Sequence, residues 1–331
     1  KCSGTPIEDT VWIDPTPMVV ATPAKDTICT GDATSILLTT VTNSTNGVEF
    51  NYTSTASDAS IGGNGTGTLT PGQSITETLT NSDDTQGYVA YTITPWTLDA
   101  SNNQKCSGTP IEDTVWVEPT ARVSVSPVND TICDGDNVSI TLSSPTSSTN
   151  GVRFSYTTEA PPGVVVTPGS GTGLTTGTPI TDAIANSTDA AQLVRFIVTP
   201  YTLNASGGQK CTGVNDTAFI WVEPRPMVVG TPAKDTICTG DATSILLTTV
   251  TSSTNGVEFN YTSTASDASI GGNGTGTLTP GQSITETLTN SDDTQGYVAY
   301  TITPWTLDAS SNQKCSGTPI EDTVWVDPTP M

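Results

Sequence analysis

In 331 residues the chain carries 33 acidic and 10 basic side chains and no histidine, a formal charge of −23, so its surface repels phosphate backbones and anionic lipid headgroups. Nucleic acid is therefore excluded as a partner, and no apolar run approaches the length that membrane insertion needs. Apolar residues are only 34% of the chain, yet they fall in short alternating runs, as a folded, strand-rich protein requires.

Residues 1–17 (KCSGTPIEDTVWIDPTP) hold the first of four copies of one motif, the others starting at Lys105, Lys210 and Lys314. The cysteines of these copies, Cys2, Cys106, Cys211 and Cys315, lie 104, 105 and 104 residues apart, which is a tandem repeat. We read 1–17 as the last strand and linker of a preceding repeat, followed by whole repeats at 18–120, 121–225 and 226–331. Each is of a size to enclose one core.

In the first repeat, Met18 to Thr22 and Asp26 to Cys29 predict one strand broken by Pro23, an edge feature. Ser35 to Val41 is a second strand after a turn at Gly31. Val48 to Thr53 alternates, with Val48, Phe50 and Tyr52 on one face. Residues 54–73, rich in Gly, Ser, Asn and Thr, predict loops with one weak strand; their GGNGTG run lacks the Gly-Lys-Ser/Thr of a phosphate loop and reads as turn chemistry. Ser74 to Thr80, Tyr88 to Thr94 and Thr114 to Val117 complete the set, with Trp116, Trp221 and Trp325 expected as core or junction fillers. Short strands at turn-punctuated intervals and no helical periodicity indicate an all-β fold, an immunoglobulin-like sandwich repeated in tandem and stacked end to end. Repeats one and three differ between 18 and 117 only at Ala21/Gly230, Asn43/Ser252 and Asn102/Ser311. Loops and core are copied alike, as suits a stacked unit better than a bespoke active site, and no enzyme is expected.

The TICxGD opening, the Gly-rich middle, the YTITP strand followed by a hairpin and K-C-[ST]-G, and the Pro-x-Pro exit resemble the PKD-like, immunoglobulin-like tandem repeats of giant surface proteins of gliding or predatory Bacteroidota. The likeness spans essentially the whole chain. It implies export by the type IX system and an extracellular, surface-attached adhesive or fibrous role, and it supplies no catalytic residues.

Seven cysteines at two positions per repeat, with no CxxC, indicate disulfides in an oxidising compartment and not a metal site. Cys29, Cys133 and Cys238 precede the second strand; Cys106, Cys211 and Cys315 stand at the last hairpin tip. From Cys106 down to Val117 is roughly 36 Å of strand, against about 4.4–6.8 Å between the α carbons of a disulfide. Stacked repeats would bring the bottom of one to the top of the next, pairing Cys29 with Cys211 and Cys133 with Cys315. The alternatives are bonds within a repeat (Cys29 with Cys106, Cys133 with Cys211, Cys238 with Cys315) or a local bond such as Cys106 with Cys133.

Other candidates are weighed against blander roles. Asp26, Asp32, Asp83 and Asp84 are the only calcium ligands in view, and solvated loop acids account for them as well; no other cofactor is expected. Trp96, Tyr201 and Trp305 suit either packing or stacking on sugar rings. Glu112 and Asp113 read as surface acids. Lys105, Lys210 and Lys314, each beside a cysteine, are weak candidates for isopeptide bonds. Thr27, Thr131 and Thr236, each after an aspartate, match an O-glycan acceptor pattern that the resemblance brings with it, although threonine is also an ordinary strand residue. The expected partners are neighbouring repeats and further copies in a homo-oligomeric or bundled assembly, with surface glycans as the alternative. The expected function is a load-bearing shaft that projects a tip; the alternative is a multivalent adhesin.

Overall fold

Threonine, valine and isoleucine at alternate positions favour extended backbone. A computed structural model, which describes residues 1–330, contains strands and no helix among them. The first repeat contributes β1 (Val20–Thr22), β2 (Lys25–Cys29), β3 (Ile36–Thr39), β4 (Val48–Ala56), β5 (Ile61–Gly62), β6 (Thr66–Leu69), β7 (Ser74–Ile75), β8 (Thr80–Asn81), β9 (Gly87–Leu98), β10 (Gln104–Ser107) and β11 (Ile111–Glu118). The larger sheet runs β2-β11-β9-β4-β6 with β10 on β9; β1-β3-β7 and the short β5-β8 ladder make up the rest of the sandwich.

The strand expected to be interrupted at Pro23 is two strands in two sheets. Proline offers no N–H to a ladder, and around it the chain changes partner: β1 pairs antiparallel with β3, whereas β2 pairs parallel with β11. The predicted strand at Tyr88–Thr94 extends to Leu98. Pro95 is tolerated within it because its carbonyl still accepts from the Gly108 N–H at 2.8 Å.

Alternation along β9 and β11 fills the core. Phe50, Leu79, Val89, Tyr91, Ile93 and Val117 are fully buried, and the third repeat packs Phe259, Leu288, Val298, Tyr300, Ile302 and Val326 likewise. The Tyr91 hydroxyl donates to Glu77 Oε2 at 2.8 Å, and burial followed by that carboxylate pushes the phenol well above its ordinary value. Asn81, also buried, donates to the carbonyls of Thr85 (2.8 Å) and Val117 (3.0 Å) and so pins a loop to the end of β11; Asn186 and Asn290 repeat the device.

Two expectations change. Asp113 is not a surface acid: it faces inward on β11, 2% exposed, while Glu112 faces out. Of the two roles expected for Trp116, Trp221 and Trp325 the core is ruled out: they stand on the outer face of the sheet at 37%, 39% and 36% exposure, the first two beside the next repeat.

In the middle repeat Asn129–Cys133 pairs parallel with Asp216–Glu223, and in the third Lys234–Cys238 pairs parallel with Ile320–Asp327, so each copy repeats the β2–β11 pairing. The chain divides into two compact units, one of residues 1–123, 144–154 and 199–215, the other holding the remainder. The division cuts through the middle repeat, so each unit contains one complete junction between consecutive repeats.

Candidate functional site

The residues that act together are those where one repeat meets the next. Parallel pairing of β2 with β11 sets Cys29 opposite Glu118, so the two strands end together at the base of the first repeat. The tip of the middle repeat presents Cys211 on a short strand, Gln209–Thr212, folded back on Tyr201 and Leu203. Cys29 and Cys211 are bonded, with α carbons 5.6 Å apart. In the second unit Cys133 and Cys315 are bonded at the same 5.6 Å. Cys2, Cys106 and Cys238 form no disulfide within this chain.

Around the first disulfide the backbones join directly: the Ser147 N–H donates to Asp84 O at 2.8 Å, and the Gln86 N–H to Ser147 O at 3.2 Å. The Thr149 hydroxyl donates to Gln86 Oε1, and Gln86 Nε2 donates to Glu118 Oε1 at 2.8 Å. Arg122 Nε lies 3.6 Å from Asp84. The second junction repeats the disulfide and the backbone bonds with different side chains, Ala191 standing where Gln86 does and Thr254 bonding the glutamate directly. Ser252 donates to Asp189 O (2.8 Å), Ala191 to Ser252 O (2.7 Å), Thr254 to Glu223 Oε1 (3.1 Å), and Arg225 lies 3.8 Å from Asp134. Asp14, at the position of Glu118 in the W-I-D-P copy, instead pairs with Lys105 Nζ at 3.0 Å at the top of the first repeat.

The glycine of K-C-[ST]-G has its reason here. A Cβ on Gly213 would stand 1.8 Å from the carbonyl oxygen of Ala121, and one on Gly317 would stand 1.8 Å from that of Pro226. The linker between repeats therefore crosses directly over this glycine, and any side chain would lift it off.

Glu118 is fully buried with Oε2 unpartnered. Burial pushes its carboxyl up, opposed by the nearby Lys210 ammonium. Gln86, Glu118, Thr149 and Gly213 were not singled out from the sequence. The recurrence of the acid in W-V-[ED]-P with the glycine of K-C-[ST]-G was the available signal.

The remaining candidates are dispersed. Asp26 Oδ1 accepts from the Thr27 N–H at 2.7 Å, Asp32 Oδ2 from the Cys29 N–H at 3.2 Å, and Asp83 Oδ1 from the Asp84 N–H at 2.7 Å. Among the described residues no three Cys, His, Asp or Glu side chains converge as a metal site. Tyr201 is buried, while Trp96 and Trp305 are half-buried beside their hairpins. Thr27 and Thr131 are half-buried and Thr236 exposed, each on the strand that pairs with the last one.

No curated protein matches the chain. Among solved structures it is similar to the human desmocollin-1 ectodomain, at 8% identity over 94% of this chain with a TM-score of 0.34; it spans 61% of that ectodomain's length. It is similar to three immunoglobulin domains of titin at 7% identity, covering 96% of this chain and 100% of that one, TM-score 0.44. The D00–D0 region of intimin matches at 11% identity over 61% of this chain and 99% of its own, TM-score 0.30. No enzyme family is indicated. A family profile described as a PKD-like domain matches three times, over residues 26–121, 130–226 and 235–330, and the chain belongs to that family as a tandem array of PKD-like domains.

Proposed function

We propose that this chain is a segment of the shaft of a large extracellular, surface-attached repeat protein, of the type IX-exported kind that its motifs resemble, and that it bears load for a remote adhesive or hook-like tip. One observation carries the reading: each of two successive junctions is closed by a disulfide across the repeats together with direct backbone hydrogen bonds at equivalent positions. A chain of beads on free linkers would bend at each junction; bonds on more than one side of the linker oppose that. Catalysis has no part in this role. Lateral bundling with further copies follows from a surface that presents the same patch at each repeat.

The test is imaging and pulling. Electron micrographs of the oxidised chain are expected to show straight three-bead particles that become bent on reduction. A single globule folded around a shared pocket, or particles equally flexible before and after reduction, would overturn the shaft.

A further inference from the structure

We propose that each junction also carries a carbohydrate subsite, assembled from the outer sheet face of one repeat and a tip loop of the next. In the second unit a cleft of about 390 Å³ is lined by Asp130, Thr131 and Trp221 from one repeat and by Asn255, Ser310 and Lys314 from the next. In the first unit a cleft of about 530 Å³ keeps the tryptophan, amide and lysine as Trp116, Asn150 and Lys210, with Lys25 where the other has Asn129 and Asn204 where it has Asp308. Trp116 and Trp221 are 37% and 39% exposed, and a Tyr88 ring 5.0 Å away props Trp116 from its own sheet.

A half-exposed indole beside an amide, a hydroxyl, an ammonium and a carboxylate is a mixed surface. Sugars are mixed in the same way. The C–H-rich face of a pyranose is drawn to the negative face of an aromatic ring, and its hydroxyls both donate and accept, as the surrounding groups demand. Asp308, which also lines the second cleft, is occupied by the N–H groups of Ser310 and Asn312, each at 2.8 Å, so it adds little free acceptor capacity. The second cleft holds two aspartates and one lysine and the first two lysines and one aspartate, so neither has more than one net charge and the two differ in sign, while a chain of net charge −23 repels polyanions. The class indicated is thus a neutral oligosaccharide. Each site needs both repeats, and its recurrence at successive junctions lets weak single contacts sum by avidity. The binding claim goes beyond the shaft reading and rests only on the joint geometry, so a stiff shaft that binds nothing defeats this inference alone.

The whole 331-residue chain would be titrated with neutral β-glucan, chitin and mannan oligosaccharides, followed by tryptophan fluorescence and calorimetry. At least one probe is expected to shift the fluorescence and bind, and the double variant Trp116→Ala/Trp221→Ala to bind about tenfold more weakly or not at all. Trp325→Ala, on the platform with no following repeat in this chain, is expected to keep the affinity. Because the tryptophans also cover sheet, Asn150→Ala/Asn255→Ala provides a second arm outside the strands and is expected to weaken binding as well. No binding at millimolar probe, unchanged affinity in both double variants, or a preference for sulfated or uronic oligosaccharides would overturn the proposal.

Discussion

Asp113 and Asp322 occupy inward positions on the last strand of their repeats, each 2% exposed, with at least one carboxylate oxygen lacking any partner. Burial pushes both carboxyls above their ordinary value of 3.8. The folded state therefore holds these protons more tightly than the unfolded chain does. Their contribution to stability is fully present below 3.8 and is lost as pH rises through the raised values. Asp322→Asn is expected to melt higher than the parent at neutral pH, with the difference closing in acid; a melting series from acid to neutral pH checks this. In the middle repeat the equivalent position is Ala218, fully buried and apolar, so that strand carries no such acid there. Gly213 makes the complementary point about space. Gly213→Ala is expected to displace the linker at Ala121 and leave a larger fraction of Cys29 and Cys211 open to a thiol reagent during refolding.

At the scale of elements, the buried asparagines matter as much as the apolar alternation. Asn81 spends both amide hydrogens on carbonyls, one in its own loop and one at the end of β11. Asn290→Ala, removing the equivalent bonds in the third repeat, is expected to cost about 1–3 kcal/mol, because it strands a buried carbonyl; chemical denaturation would measure it. Strand identity was legible wherever alternation was clean, as from Val48 to Tyr52 and along β9. It was less legible where one strand serves two sheets. Pro23 announced a break, but which strands the two halves join depends on β3 and β11, far away in sequence. Asp113 was misread for a related reason: an acid in an alternating strand looks exposed until the register of β11 against β9 decides which face it takes.

For the whole molecule, the disulfides set the decisive experiment. With Cys29→Ser/Cys211→Ser, the first junction keeps its hydrogen bonds but loses its staple. Spin labels placed on consecutive repeats are expected to report a broader distance distribution, while the melting of the individual sandwiches changes little. A distribution as narrow as the parent's would show that the backbone contacts alone hold the joint.

The repeat period, the all-β class, the strand alternation and the candidate cysteine pairings are local or periodic properties, and the sequence by itself determined them. Tertiary structure alone decided that Glu118 and Gln86 lock together beneath a neighbouring tip, that a linker carbonyl lies against Gly213, and that Trp116 and Trp221 face a cleft. The reason is physical: each of these depends on where a second repeat sits, and no side chain carries in its own period the position of a surface a hundred residues away.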